Sequence, residues 1–483
     1  MSFVSIEFAL FLIITLCIYY VCPKKLRSFI LLAASYYFYI QSDLVYAIIP
    51  FVMTGVIYLS GFLMEKYQDR KKVILVVSVV LCCLTLVLFK YSSFIFSKIG
   101  MGSLFENLIL PVGISFFTFR SIGYLIDTYN NPKNREHNYI SLSLFVCFFP
   151  MLLEGPIEKA KSFLPQIKEM NHRRLFSFET LFDGAALMIF GYFVKMVIAD
   201  RVTIFSDYVF DDFYNQGSIM LVLGALAYSI QIYTDFLAYT MIALGIAKIM
   251  GINLTDNFNT PYFSRSIKDF WGRWHISLST WLKDYIYIPL GGSRKGKMRT
   301  YVNLMITFII SGIWHGSGMR YILWGLMHGV YQVIGRLTGP PKDRITHKLK
   351  WKVDSFGYKL LQTVITFILV TISWILFRVQ SVSDFFRFIK GIFERPDFAR
   401  VSEYGIYCEG FEKRDFWILI TGILILFIVS ILRYKKSMRI EELLKKQPCV
   451  FRMLILLAFI ALILLFGEYG LGTFTHPFVY IQF

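Results

Sequence analysis

The chain has 483 residues, 56% of them hydrophobic and 17% charged, with a mean hydropathy of +0.57. A soluble protein of this length would carry about a quarter charged residues, so a water-soluble enzyme is excluded. The net charge of +18 points to basic cytoplasmic loops beside anionic lipid rather than to a nucleic-acid partner.

Apolar runs of about 17–25 residues recur along the chain, continuous rather than alternating, which predicts a polytopic all-α membrane protein and not a barrel. The first run, Phe3 to Val21, lacks a basic n-region and a small-residue cleavage site, so it is taken as the first span. Basic loops then fall in alternating order: Lys24, Lys25 and Arg27 after the first span, Lys66 to Lys72 after the third, Lys133 and Arg135 after the fifth. The positive-inside rule places these loops in the cytoplasm and the N-terminus outside. Glu158 to Glu179 is basic again, so Tyr139 to Pro156 must dip in and return; Pro150, Gly155 and Pro156 break a straight helix there. Glu154, beside that break, fits either a cavity-lining carboxylate or an interfacial one, the latter being slightly favoured. The acidic loop Asp200–Gln216 is expected outside, Gly251–Arg299 inside, and Tyr301–Leu337 as a hairpin with its tip near Gly316–Arg320. Three last spans follow, with Arg378–Asp415 and the C-terminus outside. The sum is a single membrane domain over 1–483 with roughly eleven full spans of about 20 residues each, no soluble domain and no repeat. The seven cysteines show no metal-ligand spacing and are read as small core residues; no metal is expected.

Ser266 to Pro289 is predicted as an amphipathic interfacial helix. Trp271, Trp274, His275, Leu278, Trp281, Leu282 and Tyr285 recur at three- and four-residue intervals, while Asp269, Arg273, Thr280, Lys283 and Asp284 fall mostly elsewhere. His275 lies on the aromatic face, which fits either a packed ring with a satisfied tip or a chemical role. The following Pro289–Lys297 run joins glycines to cations. It has no Walker spacing and reads as a cytoplasmic turn with snorkelling cations or as a contact for a phosphorylated acyl donor.

His315 ends the apolar stretch that begins near Tyr301. An imidazole at membrane depth is costly unless it faces a cavity or a partner, and its ordinary pKa suits proton transfer near neutral pH.

Three motifs now combine. Asn257 through Ser279 (NFNTPYFSRSIKDFWGRWHISLS), Asp284–Gly292 (DYIYIPLGG) and Gly312–Gly316 (GIWHG) resemble the membrane-bound O-acyltransferase (MBOAT) superfamily. Within it, the chain is most similar to the subgroup of bacterial alginate O-acetyltransferase membrane subunits, a likeness shared by Leu110–Phe116, Phe149–Ile157 and the ending Pro477–Phe483. The resemblance implies an MBOAT-type helical bundle with re-entrant and amphipathic helices and a thinned centre, in a bacterial cytoplasmic membrane. It puts His315 in the place of the family's membrane histidine and His275 in that of its second. It also marks Asn257, Trp271, Arg273, Trp274, Ser277, Ser279, Lys283, Asp284, Tyr285, Trp314 and Asp235 as candidates for contact with donor or substrate. Met241 stands where alginate-type members usually carry an acid, and Lys283 where arginine is more usual. D-alanyl transfer to teichoic acid therefore stays as an alternative.

The implied reaction is transfer of an acyl group, acetyl by family, from cytoplasmic acetyl-CoA to a hydroxyl, for O-acetylation of an extracytoplasmic polysaccharide. No bound cofactor is expected, since acetyl-CoA is a substrate. Such a chain has little surface for a polymer, so a separate extracytoplasmic acetyltransferase or polysaccharide-synthesis complex is the expected partner, besides the bilayer. Two readings without this chemistry compete. A transporter or flippase also uses broken helices, and a scaffold needs no buried histidine.

Overall fold

The computed structural model describes residues 1–41, 44–92, 95, 110–153, 155–172 and 177–469; Glu154, Arg173, Arg174 and the ending Pro477–Phe483 lie outside the described residues. The described residues are all-helical apart from one isolated bridge between Cys408 and Phe411. Seven helices among them are long and apolar enough to cross a membrane: Val45–Lys66, Gln68–Lys90, Phe178–Asp211, Ser218–Ile249, Phe356–Arg378, Lys413–Lys436 and Cys449–Phe466. The last carries no buried residue at all and leaves Leu464 and Leu465 mostly exposed, an apolar surface suited to lipid. The chain is a multi-pass membrane protein.

It divides into two compact units, Met1–Met188 with Tyr239–Asp256, and Ile189–Ala238 with Asn257–Phe483.

The first unit is built on an aromatic cluster of Phe3, Phe8, Phe11, Phe38 and Phe149, with ring centroids 4.7 to 6.4 Å apart. The helix Ile114–Asn130 begins after Gly113, whose φ is +72° and whose Cβ, if present, would lie 2.4 Å from the Leu152 carbonyl oxygen. Only glycine fits there. The predicted dipping segment is a short helix, Tyr139–Cys147, capped by the Asn138 side chain, followed by a 3-10 turn over Phe149–Met151. Residues 141–152 are buried throughout. Proline at position 150 fits the turn, and a helical element of this length is too short to span a bilayer.

In the second unit, a π turn over Val194–Ala199 interrupts the long helix that ends at Asp211. Its carbonyl at Met196 accepts the backbone N–H of Glu468 at 2.9 Å. The helices Lys297–His315 and Met319–Lys348 form the predicted hairpin. They cross closely: a Cβ on Gly312 would lie 2.2 Å from the Tyr321 carbonyl oxygen, and one on Gly325 would lie 2.3 Å from that of Phe308. Such small-residue contacts let helix backbones approach within a membrane. Here they fix the tip of the hairpin, where His315 sits.

The predicted continuous helix over Ser266–Pro289 is broken. Ile267–Trp271 and Ile276–Leu282 are separate, and a π turn follows over Lys283–Tyr287. The reason is backbone competition. The Asn257 carbonyl takes the Ile276 N–H at 3.0 Å, and the Arg273 carbonyl takes the Asn259 N–H at 2.9 Å. These bonds take the place of the helical ones that the Gly272 and Arg273 carbonyls would accept from Ile276 and Ser277, and His275 stands at the break with φ +43°.

Candidate functional site

His275 caps the Ile276–Leu282 helix from the left-handed region, a conformation uncommon for a residue with a side chain and concentrated at functional positions. Asn257 and Ser277 brace it. The Ser277 hydroxyl donates to Asn257 Oδ1 at 2.6 Å, and both residues are buried. The His275 ring is fully buried; its centroid lies 4.8 Å from that of Phe236 and 6.2 Å from that of Trp314. Burial pushes its pKa down from the ordinary 6.5 to about 3, because the cation would lose its hydration. At working pH the ring is therefore neutral. Between about pH 6.5 and pH 3 the unfolded imidazole takes up a proton that the folded one refuses, so stability falls as pH falls through that window, by up to about 1.4 kcal/mol per pH unit. The thermal midpoint in detergent is expected to drop between pH 7 and pH 5, and His275→Phe to flatten part of that drop.

His315 closes the Lys297–His315 helix, and its ring is 3% exposed. Trp314, Trp324 and Phe377 surround it with ring centroids at 4.8, 5.0 and 5.2 Å. Trp314 thus stands in ring contact with both histidines. His315 thus sits at the carbonyl end of its helix, the end that favours positive charge.

A third histidine belongs with these two, although no sequence motif marks it. His328 is fully buried, accepts the Trp271 indole N–H on Nδ1 at 3.2 Å, and has Nε2 3.0 Å from the Ser373 hydroxyl. That hydroxyl donates to the Val370 carbonyl at 2.7 Å. The bond to Nδ1 leaves the ring proton on Nε2. Both nitrogens are engaged, which makes His328 a brace rather than a base. Its signal in the sequence is the one that marked His315, an imidazole in an apolar hairpin.

Against Trp271, the bonding partner of His328, lies a cavity of about 340 Å³, lined by Lys268, Trp271, Gly272, Ile276, Ser279, Thr280, Leu282, Lys283, Tyr287, Leu304, Thr307, Phe308, Gln332 and Arg336. It gathers three cations and several neutral polar side chains against an apolar wall, which suits a ligand with an anionic end. Of the predicted residues, Trp271, Ser279 and Lys283 line it. Trp271 joins it to His328, and His275 immediately precedes its Ile276.

The other predicted residues have separate places. Arg273 pairs with Asp269 at 2.7 Å and lies 5.2 Å from the Tyr434 ring. Trp274 is buried and stacks on Phe270 with centroids 5.4 Å apart. Tyr285 packs its ring on Trp281, and Asp284 is half-buried in the π turn. Asp235 belongs to a buried ion triad: Lys195 Nζ lies 2.8 Å from an oxygen of Asp235 and 2.8 Å from one of Asp200. Its chain neighbour Phe236 is the residue that meets His275. Lys195 sits in an apolar run without a motif of its own, although a lysine within a predicted span carries the same warning as a histidine.

Residues 36–341 match the model of MBOAT, the membrane-bound O-acyltransferase family. The chain is 36% identical over 396 residues to the probable alginate O-acetylase AlgI of Pseudomonas aeruginosa, covering 80% of this chain and 73% of the relative. It is 34% identical over 394 residues to the peptidoglycan O-acetyltransferase of Helicobacter pylori, covering 75% and 73%. It is 27% identical over 340 residues to the teichoic acid D-alanyltransferase of Bacillus subtilis, covering 69% and 85%.

Proposed function

This chain belongs to the membrane-bound O-acyltransferase family, and from that premise we propose that it O-acetylates an extracytoplasmic polysaccharide with acetyl-CoA as donor. The observation that carries the reading is the buried pair His275 and His315, both in ring contact with Trp314, with His275 next in the chain to Ile276 of a cation-rich cavity. Acetyl transfer draws support from the alginate and peptidoglycan O-acetylating relatives, which share more identity over more of this chain than the D-alanyl-transferring one.

In this mechanism the donor's phosphates lie toward Lys268, Lys283 and Arg336, and its thioester reaches toward the aromatic rings. His315 takes the proton of the acceptor hydroxyl as its oxygen attacks the thioester carbonyl. The tetrahedral adduct collapses, the carbon–sulfur bond breaks, and the imidazolium returns the proton to the departing thiolate. His275 stays neutral and orients the reacting group. The product is a hydroxyl ester and a free thiol, with no net proton change. Handover to a secreted acetyltransferase would carry the acetyl group to the polymer, and the bacterial relatives favour the cytoplasmic membrane as its place.

The purified protein with labelled acetyl-CoA and a membrane extract tests the proposal. Label in an alkali-labile ester is the expected result. Ester formation from a D-alanyl thioester but not from acetyl-CoA would replace it with the teichoic-acid reading. The cavity has its own test. Lys283→Gln and Arg336→Gln should each raise KM for acetyl-CoA roughly three- to tenfold with little change in kcat, because contacts to the donor's remote end bind ground and transition states alike. The effect should shrink as salt rises.

A further inference from the structure

The first unit buries an arginine that the acyl-transfer chemistry does not use. Arg120, on the helix Ile114–Asn130, is 1% exposed, and its Nε, Nη1 and Nη2 have no hydrogen-bond acceptor among the described residues. Glu158 is the carboxylate whose field reaches it, but Glu158 Oε1 accepts the Thr255 backbone N–H instead of the guanidinium. Two hydroxyls on the same helix, Thr118 and Ser121, are also buried without an acceptor. Serine and threonine in a helix commonly give their proton to the carbonyl four residues back, as Ser35, Thr54 and Ser60 do in this unit. Thr118 and Ser121 keep that donor capacity.

Water could satisfy the N–H groups of a buried guanidinium, but it would not neutralise the charge, and in a low-dielectric interior the charge is the larger cost. The planar fork of five donors matches carboxylate and phosphate oxygens in pairs. We propose that Arg120 is the receiving group of a buried oxyanion site in the first unit, taking the phosphate or carboxylate of a small anion or of a lipid headgroup. The site is independent of the acyl-transfer reading.

The test is thermal unfolding of the full-length protein in neutral detergent with sodium phosphate, sodium acetate or short-chain phosphatidic acid, each against sodium chloride at equal ionic strength. Phosphate strengthens burial in any protein, so the informative quantity is the difference from Arg120→Gln under the same conditions. At least one oxyanion should raise the wild-type midpoint by roughly 2–4 °C more than that of Arg120→Gln. A response to phosphate or acetate identifies a free oxyanion, and a response to phosphatidic acid alone identifies a headgroup. Equal responses in the two proteins, or none above chloride, would overturn the proposal. Should Arg120→Gln fail to accumulate, Arg120→Lys keeps the charge and loses the fork. Its oxyanion affinity should fall at least tenfold, and an unchanged affinity would count against the site. No turnover is measured, so a negative result leaves the enzyme reading standing, and an inactive enzyme leaves this one standing.

Discussion

His315→Phe is expected to lower acyl transfer by about 10²–10⁴-fold, the usual contribution of a positioned general base, while the protein still folds. Phenylalanine is the informative replacement because His315 packs among three aromatic rings. Alanine there would also open a gap, and large-to-small changes in packed cores cost several kcal/mol. Phenylalanine keeps the ring and removes the basic nitrogen. The result expected is a loss in kcat with little change in KM, measured beside an unaltered thermal midpoint. A variant that retains more than a tenth of wild-type kcat would remove His315 from proton transfer. His328→Phe is the contrast, since its two nitrogens hold Trp271 and Ser373. That change should act through the cavity wall, raising KM and lowering stability together.

Lys195→Met should be the most damaging single change to stability. It leaves Asp200 and Asp235, both buried, without the cation that lies 2.8 Å from each. Removing one partner of a buried ionic group costs about 3–5 kcal/mol, a large share of the stability of most proteins. Loss of accumulation, or a large fall in the thermal midpoint, is expected. Asp235→Asn should be far milder, because Lys195 and Asp200 remain as a balanced pair. Combining Lys195→Met with Asp200→Asn and Asp235→Asn should recover much of the loss. Equal damage from Lys195→Met and Asp235→Asn would show that charge balance is not what the triad provides. The triad bears on the site through Phe236, which follows Asp235 and packs on His275.

Much of this organisation was legible in the residues. Long apolar runs marked the spanning helices, because some 20 consecutive apolar residues match the thickness of a bilayer core and are poorly tolerated in water. Pro150 and the basic stretch after it marked the broken element. The hairpin and His315 at its tip followed from an apolar stretch ending in a titratable ring. The aromatic spacing placed His275 on the buried face, and the structure puts it there.

What stayed hidden depends on contacts between distant parts of the chain. The three- and four-residue spacing of Trp271, Trp274, Leu278 and Trp281 continues through a break that exists only because Asn257 and Asn259 exchange backbone bonds with residues 273–276. No local pattern reports such competition. Asp235 was singled out without its partner, since Lys195 lies 40 positions away in an apolar run. Asn257 and Ser277 were marked by resemblance as candidates for contact with donor or substrate, with no local sign of the mutual hydrogen bond that braces the turn at His275. His328 stands outside the three motifs, and its bonds to Trp271 and Ser373, 57 and 45 positions away, have no local signature.

The proposed function requires that a thioester is broken at His315 rather than a ligand carried across the bilayer. The most direct measurement is release of free thiol from acetyl-CoA by the purified protein in sealed liposomes with an acceptor hydroxyl present. Thiol should appear in step with ester, and almost none should come from His315→Phe. Thiol release undiminished in that variant, or acetyl-CoA crossing the membrane intact with no thiol formed, would contradict it.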